Sequence, residues 1–303
     1  MNLKEMKSVI KLAIKDTRYV MEAVAVKFGL WIFYVMGSKR ASDIAAKIAI
    51  FVGKKLPVNQ LAYRNLSSAM PELSEDDKQN ILHDMWDNLG RIVGEYPHVA
   101  KYSVEEISQI TEISEKTKDN VEFIKNIGKG GIIFSGHIGN WEIGPKSFAT
   151  LGIKTNTVYR PLNNPYVEEM TASIRGSSLI TKSAQGNRKI IEVIKSGGFV
   201  IILADQKISE GEPVKFFHQD AITTTAIARI ALKYGVPLIP ARSIRLDKSF
   251  KFLVEVEKPL EIQTTNDINC DVLKLTAKIN SKLEEWIRQY PAQWFWVHNR
   301  WKK

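Results

Sequence analysis

A histidine and a glutamate, His137 and Glu142, lie five positions apart in residues 134–142, a segment that also contains Gly136 and Gly139. A neutral imidazole whose far nitrogen is held by a carboxylate has a fixed tautomer, and such a histidine can take a proton from an alcohol. Residues five apart in a continuous helix point away from each other, so these side chains meet only if the glycines turn the backbone. We therefore interpret His137 as a general base and Glu142 as the residue that orients it.

Two elements are expected to position this pair. Residues 131–135 have the pattern of a short buried strand, and residues 141–148 that of the start of a helix. His137 then lies at the carboxyl end of a strand, where α/β proteins commonly hold their sites. The alternative, a histidine that caps the helix beside an unrelated surface glutamate, explains the spacing alone equally well.

The remaining chain alternates between apolar runs and helical patterns. Ser74 is the predicted N-cap of an amphipathic helix over residues 75–92, and Thr224 and Thr225 are predicted to cap a helix over 226–234. Further strands are predicted at residues 155–159, 199–204, 236–241 and 250–256, and a long helix at 271–290. This alternation predicts an α/β fold with a mixed sheet flanked by helices.

Composition limits the chemistry. The single cysteine among 303 residues, Cys270, cannot form an internal disulfide, and the five scattered histidines suggest no metal site. The chain has no G-x-S-x-G or H-E-x-x-H motif, and its residues 128–131 precede a strand instead of following one, so they are not a phosphate-binding loop. No metal or cofactor is implied. We predict one catalytic domain, residues 57–303, and an N-terminal appendage, residues 1–56.

Positive charge is concentrated at the N-terminus. Residues 1–70 hold 12 Lys and Arg against 4 Asp and Glu, whereas residues 71–303 hold 31 against 29. Such an asymmetry suits an anionic surface, either nucleic acid or an acidic membrane leaflet. Residues 19–38 are mostly apolar and include the aromatic side chains of Trp31, Phe33 and Tyr34, and a nucleic-acid arm does not need such a stretch. The prediction is therefore a membrane-associated segment and no nucleic-acid partner.

The apolar segment is about long enough to span a bilayer, but Glu22 and Lys27 interrupt it. Five basic residues precede it and five follow, so no positive-inside asymmetry appears; they are Lys4, Lys7, Lys11, Lys15, Arg18, Lys39, Arg40, Lys47, Lys54 and Lys55. This favours a helix that lies in the membrane interface and continues through residues 44–52. The alternatives are a single span and a core helix packed on the catalytic domain.

Five separated motifs occur together in order. They are residues 136–142, 158–161, 203–206, 216–217 with 223–225, and 291–302. In this order and spacing they resemble the lauroyl/myristoyl acyltransferases of lipid A biosynthesis, the late acyltransferases of the lysophospholipid acyltransferase superfamily. The likeness covers nearly the whole chain. It departs from the family at His218, where relatives usually carry glycine after the Phe-Phe pair.

The resemblance implies a glycerolipid acyltransferase-like αβ sandwich that transfers a fatty acyl group from acyl carrier protein to a hydroxyl of a lipid A precursor. It places the protein among the lipids of the inner membrane, at the cytoplasmic face. His137 would deprotonate the hydroxyl and Glu142 would hold the imidazole, with no covalent acyl-enzyme. Coenzyme A thioesters remain an alternative donor, and the sequence carries no indication of oligomeric state.

Four further residues are candidate substrate contacts. Arg160 and Arg175 suit phosphate groups of the acceptor or the developing oxyanion, because a guanidinium grips such groups bidentately; surface salt bridging is the alternative. Asp205 and Gln206 match the family's Asp-Gln pair at the same sheet edge as His137. They are predicted to position the acceptor, and loop capping is their alternative.

Three other functions fit parts of the pattern. The dyad could serve an acyltransferase with another lipid acceptor, such as a lysophospholipid or glycolipid, or an esterase or thioesterase in which water replaces the acceptor. A non-enzymatic membrane or nucleic-acid binding protein would use only the basic N-terminus. The aromatic side chains Trp294, Trp296 and Trp301 are predicted to pack in the core, with contact to lipid headgroups as the alternative.

Overall fold

A computed structural model describes residues 3–175, 178–208 and 211–301, apart from the side chains of residues 3, 4, 6–12 and 173–175. The basic side chains predicted at Lys4, Lys7 and Lys11 therefore lie outside the described part. The chain starts with four helices, α1 (Leu3–Met36), α2 (Ser38–Gly53), α3 (Pro57–Ala69) and α4 (Glu75–Val99). The proposed division at residue 57 falls between α2 and α3 and stays a prediction.

A seven-stranded sheet forms the centre of the fold. Its strands are β1 (Thr111–Ile113), β2 (Gly131–Ser135), β3 (Thr155–Tyr159), β4 (Leu179–Thr181), β5 (Phe199–Leu203), β8 (Leu238–Arg245) and β9 (Phe252–Val256), in the order β1-β9-β8-β2-β5-β3-β4. All neighbouring strands are parallel except β8 and β9. The predicted α/β fold with a mixed sheet flanked by helices is confirmed.

The other helices are α5 (Val104–Ile110), α6 (Glu115–Asn126), α7 (Ile143–Thr150), α8 (Pro165–Arg175), α9 (Ala184–Lys195), α10 (Ala226–Tyr234) and α11 (Ile268–Gln289). Side chains alternate across each strand, so the sheet has two buried faces. In β2, Ile132 and Phe134 join the core beneath α10 and α11, whereas Ile133 joins the smaller core that contains Val121 of α6 and Phe148 of α7.

Strand prediction succeeded best at the sheet centre. The bounds of β2 and β3 match the predicted residues, and β5 and β9 overlap theirs closely; β8 begins two residues later than predicted and runs to Arg245. The three-residue edge strands β1 and β4 and the hairpin β6 (Glu212–Phe216) and β7 (Gln219–Thr223) were not predicted. Phe217 and His218 connect the hairpin with φ of 49° and 66°. Both lie in the left-handed region, which explains why glycine is expected at position 218.

Helix ends show which capping predictions hold. The Ser74 hydroxyl accepts a hydrogen bond from the backbone N–H of Asp77 (3.1 Å), which confirms it as the N-cap of α4. That helix runs to residue 99, seven residues beyond the prediction. At α10 the predicted bounds are confirmed, but Thr225 makes no capping hydrogen bond; Thr224 Oγ1 accepts from the Ala226 N–H (3.3 Å) instead.

The C-terminal tryptophans pack in the core, as predicted. Trp294 and Trp296 are buried, and their rings meet edge to face with centroids 4.6 Å apart. Trp301 is partly exposed and stacks on Phe216 (5.6 Å). This aromatic cluster anchors residues 291–300, hereafter the C-terminal segment, against the sheet edge that carries His137.

Helix α1 is not a core helix. Its residues Ala13–Met36 are long and apolar enough to span a bilayer, and none of the most apolar window is buried in the protein. Helix α2 does pack closely: Ala41 and Ala45 lie against Gly90 and Gly94 of α4, where an added methyl group would come within 2.5 Å of the α2 backbone. Helices α1 and α2 therefore contact α4, and α1 also contacts α8, while both still leave much apolar surface exposed.

Candidate active site

The loop between β2 and α7 holds His137 against the C-terminal segment. The His137 carbonyl accepts a hydrogen bond from the Phe295 N–H (3.1 Å), and the Gly139 N–H donates to the Gln293 carbonyl (3.0 Å). Between them, Ile138 and Trp294 form an isolated antiparallel bridge. The loop is thus fixed on both sides of His137 by a segment more than 150 residues away in sequence.

A buried carboxylate faces the imidazole. Asp205 follows β5, which lies beside β2 in the sheet. Its Oδ1 lies 2.8 Å from His137 Nδ1, and its Oδ2 accepts hydrogen bonds from the His137 backbone N–H (2.7 Å) and the Trp294 indole N–H (2.8 Å). The aspartate is only 2% exposed. These contacts place the Nδ1 proton between the two residues and leave Nε2 as the basic nitrogen.

The charge of this carboxylate is strongly favoured. Burial alone would raise the pKa of Asp205, but the neighbouring imidazole, the two hydrogen bonds from His137 and the indole of Trp294 outweigh it. Together they hold the pKa of Asp205 well below its usual range. An ionised aspartate at this position stabilises the protonated imidazole that forms when His137 accepts a proton.

Glu142 lies at the end of the loop that carries His137. It precedes α7, its backbone N–H donates to Asn140 Oδ1 (3.1 Å), and it lines the same cavity as His137. The carboxylate that lies at His137 Nδ1 is that of Asp205. Spacing within one segment could not reveal a partner 68 residues away. A catalytic role for Glu142 stays a prediction.

The other imidazole nitrogen faces the cavity side. Gln206 Nε2 lies 3.2 Å from His137 Nε2, in position to donate to it, and Trp141 meets the imidazole edge to face at 5.1 Å. Gln206 therefore lies at Nε2 of the imidazole, whereas Asp205 lies at Nδ1. Contact of either residue with an acceptor stays a prediction.

A cavity of about 1000 Å³ opens beside His137. Part of its lining is formed by apolar side chains from the sheet, from α7 and from the loop after α7, including Ile133, Phe148, Ile153, Ile201, Leu203 and Val254. Arg160 and Lys182 line the cavity and are solvent-exposed. Partial desolvation lowers the pKa of Lys182, which the charge of Asp205 opposes and that of Arg160 reinforces. The cavity lining thus combines apolar side chains with several cations, because Lys146, Lys154 and Arg242 line it as well. The side chain of Arg175 lies outside the described part of the chain.

A buried polar network holds the loop between β2 and α7. Glu95 of α4 is fully buried and forms a bidentate ion pair with Arg245 of β8 (2.6 and 2.8 Å). Glu95 also accepts from Asn140 in the catalytic loop (2.9 Å) and from Ser42 in α2 (2.7 Å). We did not predict this network. A signal was present, because Glu95 lies three residues after Ile92 on the apolar face of its helix.

Among the described residues, no group of three or more His, Cys, Asp or Glu side chains is arranged to hold a metal ion. The residues present can supply proton transfer through the imidazole of His137, and Arg160 and Lys182 place positive charge at the same cavity.

Replacing Gly139 with alanine is expected to destabilise the catalytic loop. Its φ is +59°, and an added Cβ would lie 1.8 Å from the Ser243 carbonyl oxygen. The backbone conformation alone costs about 1–3 kcal/mol, and the clash adds to it. Thermal unfolding of Gly139→Ala measures the sum. Gly128→Ala is the matched control, because Gly128 has φ +67° but nothing within 4 Å of the added atom; equal losses in both variants would contradict the close approach.

Acid is expected to weaken the contact between the C-terminal segment and the loop after Asp205. His298 Nε2 accepts a hydrogen bond from the Lys207 N–H (2.6 Å), and burial is the main cause that lowers the pKa of His298 from 6.5 to about 4. The unfolded chain binds this proton at higher pH than the folded chain, so stability falls as pH drops from 6.5 to about 4. His298→Gln keeps an acceptor without titrating. In urea unfolding, the free energy of unfolding of this variant should fall less between pH 6.5 and 4 than that of the wild type. The control variant His83→Gln should lose as much as the wild type.

Two comparisons with known proteins found similar chains. The family model described as bacterial lipid A biosynthesis acyltransferase matches residues 10–303. A lipid A biosynthesis lauroyltransferase of Escherichia coli (strain K12) is 26% identical over 261 residues, which cover 80% of this chain and 78% of that protein. The match extends from α1 to the C-terminal segment that fixes His137.

Proposed function

The chain belongs to the bacterial lipid A biosynthesis acyltransferase family, and on that basis we propose that it transfers a fatty acyl group from acyl carrier protein to a hydroxyl of a lipid A precursor. The reaction takes place at the cytoplasmic face of the inner membrane, with His137 as the general base. Membership of the family makes the chain an acyltransferase of lipid A biosynthesis. The donor, the base and the membrane face are the parts that we add.

One observation carries the proposal. The imidazole of His137 is held at Nδ1 by a buried, ionised Asp205, and it borders a cavity lined by apolar side chains and exposed cations. The apolar part of this lining suits a fatty acyl chain, because burying each methylene is favourable by about 0.8 kcal/mol. Arg160 and Lys182 suit the phosphates of the acceptor.

The proposed step transfers one proton and one acyl group. The acceptor hydroxyl displaces the Gln206 amide and donates to His137 Nε2, which takes its proton as the oxygen attacks the thioester carbonyl. The tetrahedral oxyanion is stabilised by Arg160 or Lys182, or by backbone N–H groups near the start of α7. Its collapse forms the ester, breaks the carbon–sulfur bond, and returns the proton from His137 to the departing thiolate.

An acyl-transfer assay in detergent tests the proposal. The purified protein is given acyl carrier protein loaded with different chain lengths and a Kdo-bearing tetra-acylated lipid A precursor, and products are weighed by mass spectrometry. We expect a product heavier by one acyl group, absent with His137→Ala. Transfer only to a lysophospholipid, release of free fatty acid, or use of coenzyme A thioesters alone would overturn the proposed acceptor, reaction or donor respectively.

A further inference from the structure

Residues 16–22 of helix α1 make hydrogen bonds to the catalytic domain. Asn164, which is 8% exposed, donates from Nδ2 to the Tyr19 carbonyl (2.8 Å) and to Glu22 Oε2 (3.1 Å). The Tyr166 hydroxyl donates to Asp16 Oδ1 (3.0 Å). Two acidic side chains of α1, Asp16 and Glu22, thus lie on the side of the helix that contacts the protein.

The other end of α1 is fastened as well. His98 Nε2 lies 3.0 Å from the Phe33 carbonyl oxygen, and its ring stacks on Tyr34 at 5.5 Å. The Lys101 ammonium lies 3.7 Å from the centre of the Tyr34 ring. Residues 16 and 34 are about 27 Å apart along a helix axis. The catalytic domain therefore lies beside α1 over a length close to the thickness of a bilayer core, about 30 Å.

The opposite face of α1 is an apolar stripe. Its members are spaced by seven, three, four, three and four residues and are each 57–68% exposed; they are Ile14, Met21, Val24, Phe28, Trp31 and Val35. Such spacing places them on one side of the helix, away from the residues that contact the domain. Helix α2 carries four more exposed apolar side chains, those of Ile44, Ile48, Phe51 and Val52. The six residues of α1 and these four residues of α2 are together called the apolar stripe.

If α1 crossed the bilayer, the polar groups fastened to both of its ends would enter the hydrocarbon with it. Asn164, His98 and Lys101 contact a helix whose contacts span nearly the membrane thickness, so the adjoining domain would have to be immersed. We therefore propose that α1 lies in the plane of the membrane, with the apolar stripe inserted into one leaflet that carries anionic headgroups.

The charge of α1 and α2 indicates that an anionic lipid surface covers the apolar stripe. Basic residues of α1 and α2 and of the turn after them flank the stripe, including Lys15, Arg18, Lys27, Lys39, Arg40, Lys47, Lys54 and Lys55. Basic side chains beside an inserted apolar face add attraction to acidic lipids. This orientation also places the cavity close to the membrane leaflet. Residues 160–163 line the cavity, and the next residue, Asn164, donates a hydrogen bond to α1. This inference does not depend on which donor or acceptor is used.

Cysteine labelling tests whether both ends of α1 face the same side. In a Cys270→Ser background, single cysteines replace Lys15, Lys39 or, on the catalytic domain, the exposed Lys118. Two preparations of sealed membrane vesicles, right-side-out and inside-out, are each treated with an impermeant maleimide. The total amount of reactive cysteine is then measured after detergent is added. We expect all three positions to react from the same side. Reaction of Lys15→Cys only from the opposite side, or only after detergent, would overturn the proposal.

Vesicle binding tests whether an anionic lipid surface covers the apolar stripe. The purified full chain is mixed with vesicles of phosphatidylglycerol and phosphatidylcholine, and we expect Phe28→Glu to weaken binding at least about tenfold. Phe123→Glu, at a 50% exposed phenylalanine of α6, is the matched control. Equal binding by both variants, or binding indifferent to the anionic lipid, would overturn the proposal. So would conversion of a dimer to a monomer by Phe28→Glu without loss of vesicle binding, because the stripe would then cover a second copy.

Discussion

Asp205→Asn is expected to lower kcat for acyl transfer by about 10²- to 10⁴-fold. Asp205 holds the proton of His137 at Nδ1 and accepts two further hydrogen bonds through Oδ2. An asparagine amide nitrogen cannot accept, so one of these donors loses its partner or the imidazole changes tautomer. The ionic stabilisation of the protonated imidazole is lost as well. Steady-state rates at saturating substrates measure the effect.

The matched control for this prediction is Asp220→Asn. Asp220 pairs with Lys215 on the exposed hairpin, and its side chain is 63% exposed. It should leave kcat within a factor of about two. Glu142→Gln provides a second comparison, because it removes the carboxylate that the sequence assigned to the imidazole. A kcat that stays at the wild-type value in Asp205→Asn but falls in Glu142→Gln would return the orienting role to Glu142.

Glu95→Ala is expected to lower the free energy of unfolding by about 3–5 kcal/mol. The change leaves Arg245, which is 3% exposed, with its charge buried and its bidentate partner gone. It also removes the acceptor of Asn140 and Ser42. Urea unfolding in detergent, followed by tryptophan fluorescence, measures the loss.

Glu72→Ala is the control for the buried pair. Glu72 contacts Arg288 at the surface, where both side chains are at least one-third exposed, so its removal should cost no more than about 1 kcal/mol. A loss in Glu95→Ala as small as in Glu72→Ala would contradict the view that the Glu95 network supports the catalytic loop.

The fold could be predicted where periodicity was strong. Strands β2 and β5 are continuous apolar runs, because they lie inside the sheet and are buried on both faces. Strands β1 and β4 have three residues each, too few to show a period. The hairpin β6 and β7 was missed for another reason: its turn uses Phe217 and His218, which are not the residues expected at positive φ.

The site could be predicted only in part, because its geometry depends on strand order. His137 was recognisable from its position after a buried strand. Its partner was not, because only the pairing of β2 with β5 brings Asp205 to the imidazole. Likewise, nothing in the sequence near Glu95 identifies Arg245 as its partner 150 residues away. Motifs within one segment are visible in sequence, whereas contacts between strands require the topology.

The most direct test of the central claim is the single-turnover rate of acyl transfer from acyl carrier protein to the lipid A precursor by wild-type protein and His137→Gln. The glutamine fills a similar space but cannot take the proton. If His137 is the general base, the rate should fall by about 10²-fold or more while thermal unfolding stays close to that of the wild type. A His137→Gln rate within a few-fold of wild type, in a protein that remains folded, would contradict the account.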